Sequence, residues 1–433
     1  MMSSSCDTSS SAKLASDTLL VIGYVWPEPC SSAAGSRMLQ LIRAFQQAGY
    51  QVVYASPAEY SDHAADLAAL HIRTQRIAVN DPAFDHFLQA LNPAVVMFDR
   101  FMMEEQFGWR VENCCPAAVR ILDTEDLHSL RHARHAMLKA GATSGALFPP
   151  AQFAHSELAV REIAAILRCD LSLIISEAEM QWLQQQFQVP ASQLLYLPFM
   201  ETEQPRSEWP DFSQRRHFIS IGNFRHEPNW DAVRYLKEDI WPQIRQQLPS
   251  AELHIYGAYP PKKATQLHND KQGFLVKGWA PDALTVISAA RVLLAPLRFG
   301  AGLKGKLLDA ANAGTPAVTT PLGAEGMYLS EEPCARVADS AEALAANAVS
   351  LYQDEREWQK LSDRGRRLIA ARFDFSIHAP RLCAALKQVM ADVTAHRQQH
   401  FYGMMLRHHS LKSTQYMAQW IEAKNRLKQE NPS

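Results

Sequence analysis

A glycine-rich segment between two apolar runs constrains the fold of this chain more than any other feature. The segment reads VLLAPLRFGAGLKGKLLDAANAGTPAVTTPLGAEGM over residues 292–327. Val292–Ala295 and Ala317–Thr320 have the composition of short buried strands. A helix is expected between them at Leu303–Ala313, because Gly314 and the Thr-Pro pair after it are typical of a helix end. The sequence therefore predicts a strand, a glycine loop, a helix and a second strand.

The loop and the first turn of this helix carry a predicted anion site. Gly300 and Gly302 let the backbone approach a ligand, and Lys304 and Lys306 sit at the start of the helix. The free N–H groups and the positive dipole end of a helix attract anions. Asp309, further along the helix, could accept hydrogen bonds from a diol, so the pattern indicates a nucleotide. The alternative interpretation is an i,i+3 ion pair between Lys306 and Asp309.

This segment resembles the donor-binding block of retaining GT-B glycosyltransferases, glycosyltransferase family 4 (glycosyl transferases group 1). In that family a glycine-rich loop meets the donor diphosphate, a basic residue contacts phosphate, and a carboxylate on the helix holds the ribose. Lys304 and Asp309 match those positions. The resemblance implies an α/β fold with two Rossmann-like doubly wound parallel-sheet domains facing a cleft, and C-terminal helices that cross back onto the first domain. It also implies a nucleotide-sugar substrate and no metal or other cofactor.

Two series of strands alternate with helices along the chain, as a pair of doubly wound domains requires. Thr18–Val25, a helix at Ser36–Gln47 and Gln51–Ala55 form a βαβ unit, which predicts a parallel sheet. A second series begins at Phe218–Ile221, and Ser176–Glu179 has the pattern of a helix capping box. The expected organisation is a disordered tail at 1–17, an acceptor domain at 18–197, a linker at 198–216, a donor domain at 217–375, and C-terminal helices with a basic tail at 376–433.

Composition limits the partners and the compartment. The net charge of −2 over 433 residues gives no overall attraction toward nucleic acid or an anionic membrane. Seven cysteines without a CxxC pattern suit a reducing cytosol, and no signal peptide or long apolar run is present, so a cytoplasmic protein is expected. Residues 397–433 carry six Lys or Arg against two Glu. They indicate either a basic amphipathic surface for peripheral contact with the inner membrane or a partner, or a solvated helical hairpin.

Three further positions are candidates for donor binding. The loop at Gly278 and Trp279 follows a predicted strand, and in the resembled family it contacts the nucleotide base; the alternative is a plain turn. Glu325 is expected to face the cleft and to meet a sugar hydroxyl or the ribose. Arg225 is a candidate cation for binding the donor phosphates. The alternative interpretation of its loop is a plain helix start in which Asn229 is the N-cap.

The chain departs from the family at four donor-side positions. Many members have a Gly-Arg pair and a later lysine where this chain has Asn223 and Pro228. A glutamate of many members falls at Ala301, and the ribose-binding glutamate is replaced by the shorter Asp309. These departures leave open a catalytically inactive family member that acts as a binding or scaffold protein.

The first half offers candidates for acceptor binding and proton handling. Asp123, Asp126 and His128 follow the predicted strand Val119–Leu122, and strand ends of this type face the cleft. One alternative is helix capping by Asp123 or Thr124. Another is a metal at the Asp-x-x-Asp pair, which the family's use of lysines disfavours.

A second loop of the first half adds two more candidates. Gly35 and Arg37 resemble the N-terminal loop that lets acceptor and donor phosphates approach. An arginine in the first turn of a helix opposes the dipole, so Arg37 indicates either a ligand or a carboxylate partner.

The resemblance implies a retaining glycosyltransferase that moves a sugar from a nucleotide-sugar to an acceptor hydroxyl, with a role in cell-surface glycan or glycoconjugate synthesis. The acceptor classes that fit the resemblance are a glycan, a lipid-linked sugar or a protein. A nucleotide-sugar 2-epimerase on the same architecture is the rival enzyme, although the spacing of Lys304 and Asp309 favours the transferase.

Overall fold

The protein folds around two separate parallel β-sheets, one in each half of the chain. The computed structural model describes residues 17–141, 148–202, 209–328 and 333–430. The predicted disordered tail, except for Asp17, and part of the predicted linker lie outside the described residues. The α/β class with two doubly wound sheets and a helical C-terminal region is confirmed.

The first sheet has seven strands in the order β3-β2-β1-β4-β5-β6-β7, all paired in parallel. The order reverses between β1 and β4, which makes the loops after these two strands the expected ligand side. The strands are β1 (Thr18–Ile22), β2 (Gln51–Ser56), β3 (Arg73–Arg76), β4 (Val95–Asp99), β5 (Val119–Asp123), β6 (Leu171–Ile174) and β7 (Leu194–Tyr196).

The second sheet has six strands in the order β10-β9-β8-β11-β12-β13, again all parallel. Its order reverses between β8 and β11, and the predicted glycine loop follows β11. The strands are β8 (Arg216–Ile221), β9 (Leu253–Tyr256), β10 (Phe274–Gly278), β11 (Ala290–Ala295), β12 (Ala317–Thr319) and β13 (Ala335–Val337).

Helices connect successive strands on both faces of each sheet. Those of the first half are α1 (Ala33–Gln47), α2 (Ala83–Leu91), α3 (Phe101–Cys114), α4 (His128–Lys139), α5 (Ala151–Ala154), α6 (Glu157–Arg168) and α7 (Glu177–Phe187). Those of the second half are α8 (Glu227–Tyr235), α9 (Trp241–Gln247), α10 (Lys262–Thr265), α11 (Ala283–Ala289), α12 (Gly305–Asn312) and α13 (Pro321–Ala324). The C-terminal helices are α14 (Ala341–Gln353), α15 (Glu355–Arg372), α16 (Phe375–Ala391), α17 (Val393–Gln398) and α18 (Phe401–Glu430).

Both faces of each sheet are buried, which explains why the central strands are nearly continuous apolar runs. In β1, Leu20 and Ile22 pack into one hydrophobic cluster, whereas Leu19 and Val21 pack into another on the opposite face. The second cluster also contains Leu382 from α16, so this C-terminal helix packs on the first domain. The helices after the second sheet therefore join the two halves.

One alternative interpretation and one local prediction, both about helix capping, are wrong. Helix α8 begins at Glu227 with His226 as its N-cap, so Asn229 lies within the first turn and its side chain bonds elsewhere. Ser176 is the N-cap of α7, but it makes no side-chain capping bond, and Glu179 does not complete a capping box. Asn229 and Glu179 instead bind partners that are distant in sequence, Lys306 and the N–H of Gly302, and these contacts prevail over local capping.

Candidate active site

The glycine loop between β11 and α12 packs directly against the first domain. Gly302 has a φ of 62°, in the left-handed region that favours glycine. A Cβ built at this position would lie 2.9 Å from the Cβ of Asp126 and 3.2 Å from Cγ2 of Ile175. The loop thus sits at the carboxyl ends of both sheets, where the two domains face each other.

Lys304 is the N-cap residue of α12 and is buried. Its Nζ donates hydrogen bonds to the carbonyl oxygens of Ala301, at 3.1 Å, and Gly302, at 2.5 Å. Burial lowers the pKa of its ammonium group, against the opposing effect of the nearby Glu325 carboxylate. The ammonium group therefore lies in the loop itself, beside the N–H groups that open the helix.

Lys306 connects the glycine loop to the loop after β8. Its Nζ donates to Oδ1 of Asn229 at 2.7 Å, and Nδ2 of Asn229 donates to the carbonyl oxygen of Asn223 at 3.0 Å. Burial, together with the charge of Lys304, lowers the pKa of Lys306 to about 8. In the described part of the chain Lys306 and Asp309 form no ion pair, so the alternative interpretation of this pair is wrong.

Asp309 lies one turn beyond the two lysines on α12. Its side chain is half-buried and makes no hydrogen bond to the residues that the structure describes. Burial, followed by the neighbouring charge of Glu201, raises its pKa to about 7. A desolvated carboxyl group without an internal partner is the arrangement that a hydroxyl-bearing ligand would satisfy.

The loop after β10 reaches the first domain through Trp279. Gly278 ends the strand with a φ of 78°, and Trp279 is 39% exposed. The indole Nε1 donates to the carbonyl oxygen of Cys30 at 2.9 Å, and its ring lies 4.6 Å from that of His63. The predicted base-binding loop therefore also bridges the two domains.

Arg225 is exposed, and its guanidinium group lies 3.5 Å from the ring centre of Tyr259. The hydroxyl of Tyr259 donates to Oε1 of Glu28 at 3.0 Å. Glu28 belongs to the loop before α1. Gly35, in the first turn of α1, is required because a Cβ there would lie 2.4 Å from the Glu28 backbone. The predicted phosphate cation and the predicted N-terminal loop thus meet at one end of the cleft.

Glu325 pairs with an arginine that the sequence did not single out. Both of its oxygens accept hydrogen bonds from Arg134 of α4, at 2.9 and 2.7 Å, and both side chains are buried. Arg134 also donates to the carbonyl oxygen of Gly300 at 2.9 Å. The structure therefore gives Glu325 a bidentate partner across the domain interface, rather than leaving it open to a sugar hydroxyl.

Glu179 holds the other side of the glycine loop. Its Oε1 accepts hydrogen bonds from the N–H groups of Gly302, at 2.9 Å, and Leu127, at 2.8 Å. The side chain is fully buried, and burial raises its pKa to about 8. Glu179 and Arg134 together hold the glycine loop against the first domain from two directions.

Arg37 and Asp123, predicted as separate candidates, form one fully buried ion pair. The Arg37 guanidinium group donates to Oδ1 of Asp123 at 2.9 and 3.2 Å, and to the carbonyl oxygens of Leu197 and Pro198 at 2.7 and 3.1 Å. The carboxylate partner predicted as one alternative for Arg37 is thus Asp123. Asp123 ends β5 and caps no helix, so its capping interpretation is wrong.

Asp126 and His128 lie at the start of α4, next to the glycine loop. Arg131 and His128 lower the pKa of Asp126 below its usual value, although burial alone would raise it. Nε2 of His128 lies 3.7 Å from Asp126, and burial lowers the pKa of this imidazole to about 4. Neither residue caps α4. The carboxylate of Glu162 accepts hydrogen bonds from the first N–H groups of this helix, those of His128 and Ser129.

Strained backbone positions mark a part of the first domain that the sequence did not identify. Arg100, after β4, and Glu125, after β5, have φ values of 70° and 60°. Buried Asp99, which ends β4, lies 3.8 Å from Nε of Arg100 and accepts from the N–H of Tyr24 at 3.0 Å. Non-glycine residues with a left-handed backbone conformation are energetically costly and cluster at functional sites. The signal in the sequence that could have identified this part of the domain is the position of Asp99 at the end of a strand, where ligands bind in such sheets.

No set of three or more His, Cys, Asp or Glu side chains among the described residues is arranged to hold a metal ion. The structure does bring the glycine loop into contact with Asp126 of the first domain, and the charge of Asp126 opposes the lowering of the Lys304 pKa by burial. Trp279 contacts the loop before α1 through the carbonyl oxygen of Cys30, and Arg225 approaches the same loop through Tyr259, which bonds Glu28. The roles assigned to all of these residues stay predictions.

The second half of the chain matches a known family. Residues 215–354 match the sequence model described as "Glycosyl transferases group 1". A comparison of the sequence with curated proteins finds no match.

Several solved structures share the whole fold. Sucrose-phosphate synthase from Thermosynechococcus elongatus is 15% identical, with 86% of this chain and 99% of that chain covered and a TM-score of 0.62. HepE of Anabaena in complex with UDP and glucose is 12% identical, with 85% and 99% covered and a TM-score of 0.60. A glycosyltransferase from Rickettsia africae is 9% identical, with 86% and 98% covered and a TM-score of 0.61. The chain therefore has the GT-B fold, and its residues 215–354 match the glycosyl transferases group 1 family.

Proposed function

We propose that this chain is a retaining glycosyltransferase that moves a sugar from a nucleotide-sugar to an acceptor hydroxyl. The observation that carries the proposal is the half-buried carboxyl group of Asp309, which has no hydrogen-bond partner in the described part of the chain. It lies one turn from Lys304 and Lys306, at the N-terminus of α12. A nucleoside diphosphate would satisfy both kinds of group, because its ribose diol would bond the carboxyl group while its diphosphate meets the two cations.

UDP-sugars are the first donors to consider. HepE, which shares the fold, was solved with UDP, with UDP and glucose, and with UDP-glucose. TarM, another chain of this fold, was solved with UDP and a glycosylated glycerol. We extend this donor class to the present chain as part of the proposal, with the base stacking beside Gly278 and Trp279.

In the proposed reaction the acceptor oxygen forms a bond to the anomeric carbon on the face from which the nucleoside diphosphate leaves. The bond between that carbon and the β-phosphate oxygen breaks, and the acceptor proton passes to the leaving phosphate. Negative charge builds on the β-phosphate, so Lys304, Lys306 and the helix N–H groups interact more strongly with the transition state than with the donor. The proposed reaction uses these cations in place of a metal or another cofactor.

The acceptor would approach from the first domain. Asp126 touches the glycine loop, and His128 follows it, so these two residues are proposed to orient the acceptor hydroxyl. Buried Asp123 is proposed to act through Arg37, as a positioning pair. A glycan, a lipid-linked sugar or a protein is the proposed acceptor, in a cytoplasmic pathway that builds cell-surface glycans.

The purified chain incubated with a panel of UDP-, GDP-, dTDP- and ADP-sugars tests this proposal. Slow release of the nucleoside diphosphate from one donor, in the absence of acceptor, is the expected result. Binding of nucleotide without release, even with candidate acceptors, would instead support a scaffold protein. Release of a free 2-epimeric sugar together with UDP would support the epimerase.

The affinity for the donor should depend on pH through Lys306. Its pKa of about 8 in the free protein means that it is charged below that pH and neutral above it. An anionic diphosphate binds the charged form, so the contribution of Lys306 to the affinity is full well below pH 8, and above pH 8 the affinity falls by up to about tenfold per pH unit. The KM for a nucleotide-sugar should therefore rise between about pH 7 and pH 9.5.

A nucleotide-sugar is the appropriate ligand, because the terminal phosphate of a free nucleotide titrates near pH 6. In the variant Lys306→Arg the guanidinium group stays charged throughout this range, so the rise in KM should flatten. An unchanged KM across the range in the wild type, or an identical rise in Lys306→Arg, would contradict the prediction.

A further inference from the structure

The last helix, α18, is attached to the first domain along one of its faces. It packs on α3 and α6. Gly403 comes so close to α6 that a Cβ there would lie 2.2 Å from the carbonyl oxygen of Leu167. Buried Glu422 pairs with buried Arg110 of α3. These contacts fix the rotation of the helix about its own axis and so determine which residues point outward.

The opposite face of α18 is apolar and exposed. Trp420 is 60% exposed and Tyr416 is 64% exposed, which is unusual for side chains of this size. At about 100° per residue, Tyr402, Met405, Tyr416, Trp420 and Leu427 fall within an arc of roughly 60°. This arc lies opposite the contacts made by Gly403 and Ala418. We call these five exposed residues, Tyr402, Met405, Tyr416, Trp420 and Leu427, the outer stripe.

Positive charge borders the outer stripe on both sides. Lys412 and Arg426 flank one edge, whereas Lys424 and Lys428 flank the other, and all four are exposed. The Nζ of Lys424 lies 5.2 Å from the ring centre of Trp420. Among the described side chains of the helix the only carboxylate is that of Glu422, which is buried on the inner face. Among the side chains that the structure describes, the exposed surface of the helix therefore carries aromatic and basic groups and no acid, and Arg426 lies 3.9 Å from the buried Glu422 carboxylate.

We propose that the outer stripe and its four cations dock on an anionic phospholipid surface. Tyr and Trp side chains favour the level of the lipid headgroups, and Lys and Arg near them are attracted by anionic lipid. A second copy of this chain is the less favourable occupant, because pairing two outer stripes would bring the basic residues of both helices together. No helix among the described residues is long and apolar enough to cross a bilayer, so contact along the surface is the mode proposed.

Docking along α18 would hold the first domain next to the lipid surface, since α3 and α6 belong to that domain. The proposed acceptor side of the cleft is on the same domain. The docking inference does not depend on the proposed transferase activity, because it concerns binding alone and is tested without a donor.

Sedimentation of the full-length chain with vesicles tests the proposal. Binding to vesicles of phosphatidylglycerol mixed with phosphatidylcholine is expected, with much weaker binding to phosphatidylcholine alone. The variant Lys424→Gln/Arg426→Gln/Lys428→Gln should lower the partition coefficient about fivefold for each cation removed. The variant Tyr416→Ser/Trp420→Ser should lower it at least about tenfold, because it removes the two largest apolar groups of the stripe.

Matched controls come from other exposed helix positions. Val160→Ser on α6 removes an apolar side chain of similar exposure, and Lys387→Gln on α16 removes a cation, so both should bind like the wild type. An unchanged thermal unfolding midpoint in each variant shows that the fold is intact. Equal sedimentation with both kinds of vesicle, or equal binding by wild type and stripe variants, would overturn the proposal. The proposal would also be overturned if the wild type formed a dimer and bound no vesicles, and if Tyr416→Ser/Trp420→Ser converted that dimer to a monomer.

Discussion

Replacement of Lys304 by alanine is expected to lower the rate of nucleoside diphosphate release from the preferred donor by about 100- to 1,000-fold. Lys304 lies at the N-terminus of α12, with its ammonium group buried in the glycine loop. Burial makes its interaction with a developing negative charge stronger than that of a solvated lysine. Because the charge grows as the leaving group departs, the loss should fall mainly on kcat, with a smaller change in KM.

Two comparisons make this result specific. Lys387→Ala removes an exposed lysine from α16 and should leave the rate unchanged. Lys304→Arg keeps a positive charge and should retain more activity than Lys304→Ala, although the planar guanidinium group fits the loop less well. If Lys304→Ala released nucleoside diphosphate at the wild-type rate and also kept its thermal stability, Lys304 would have no catalytic role.

Replacement of Arg37 by methionine is expected to destabilise the first domain by about 3–5 kcal/mol. The change leaves the carboxylate of Asp123 buried without its partner, and it also frees the carbonyl oxygens of Leu197 and Pro198. An unpaired buried charge is more costly than the loss of the pair itself. The thermal unfolding midpoint should therefore fall by at least about 6 °C.

The double variant Arg37→Met/Asp123→Asn tests the physical reason. It removes both charges, so it should be more stable than Arg37→Met alone, with a non-additive coupling of at least about 1 kcal/mol. Arg43→Met, on the exposed face of the same helix, loses only a contact with the ring of Phe375 and should cost about 1 kcal/mol or less. A single Arg37→Met variant as stable as Arg43→Met would show that the buried pair does not hold the domain together.

The sequence was most informative about strands in the middle of the sheets. Val119–Leu122 and Gln51–Ala55 were predicted within one residue, because a parallel strand buried on both faces must be an apolar run. The edge strands β3 and β13 were not predicted. Arg73–Arg76 is polar and largely exposed, and Ala335–Val337 is only three residues long, so neither has the apolar signature.

The sequence was least informative about contacts between the two domains. Arg134 and Glu325 are 191 residues apart, and the N–H of Gly302 is 123 residues from the carboxylate that binds it, Glu179. Local patterns assigned Glu325 to a contact with a sugar hydroxyl or the ribose, and Glu179 to a helix capping box. Only the packing of one domain on the other decides such partners, and no local spacing along the chain encodes it.

The measurement that tests the central claim most directly is the affinity of the chain for UDP and for inorganic pyrophosphate, by titration calorimetry, in the wild type and in Asp309→Ala. If the carboxyl group of Asp309 holds the ribose, Asp309→Ala should weaken UDP about tenfold, as expected for the loss of a hydrogen bond to a charged group. Pyrophosphate has no ribose, so its affinity should stay the same or improve slightly. Equal affinity of both proteins for UDP, or an equal loss for UDP and pyrophosphate, would contradict the assignment of this helix as a nucleotide-sugar site.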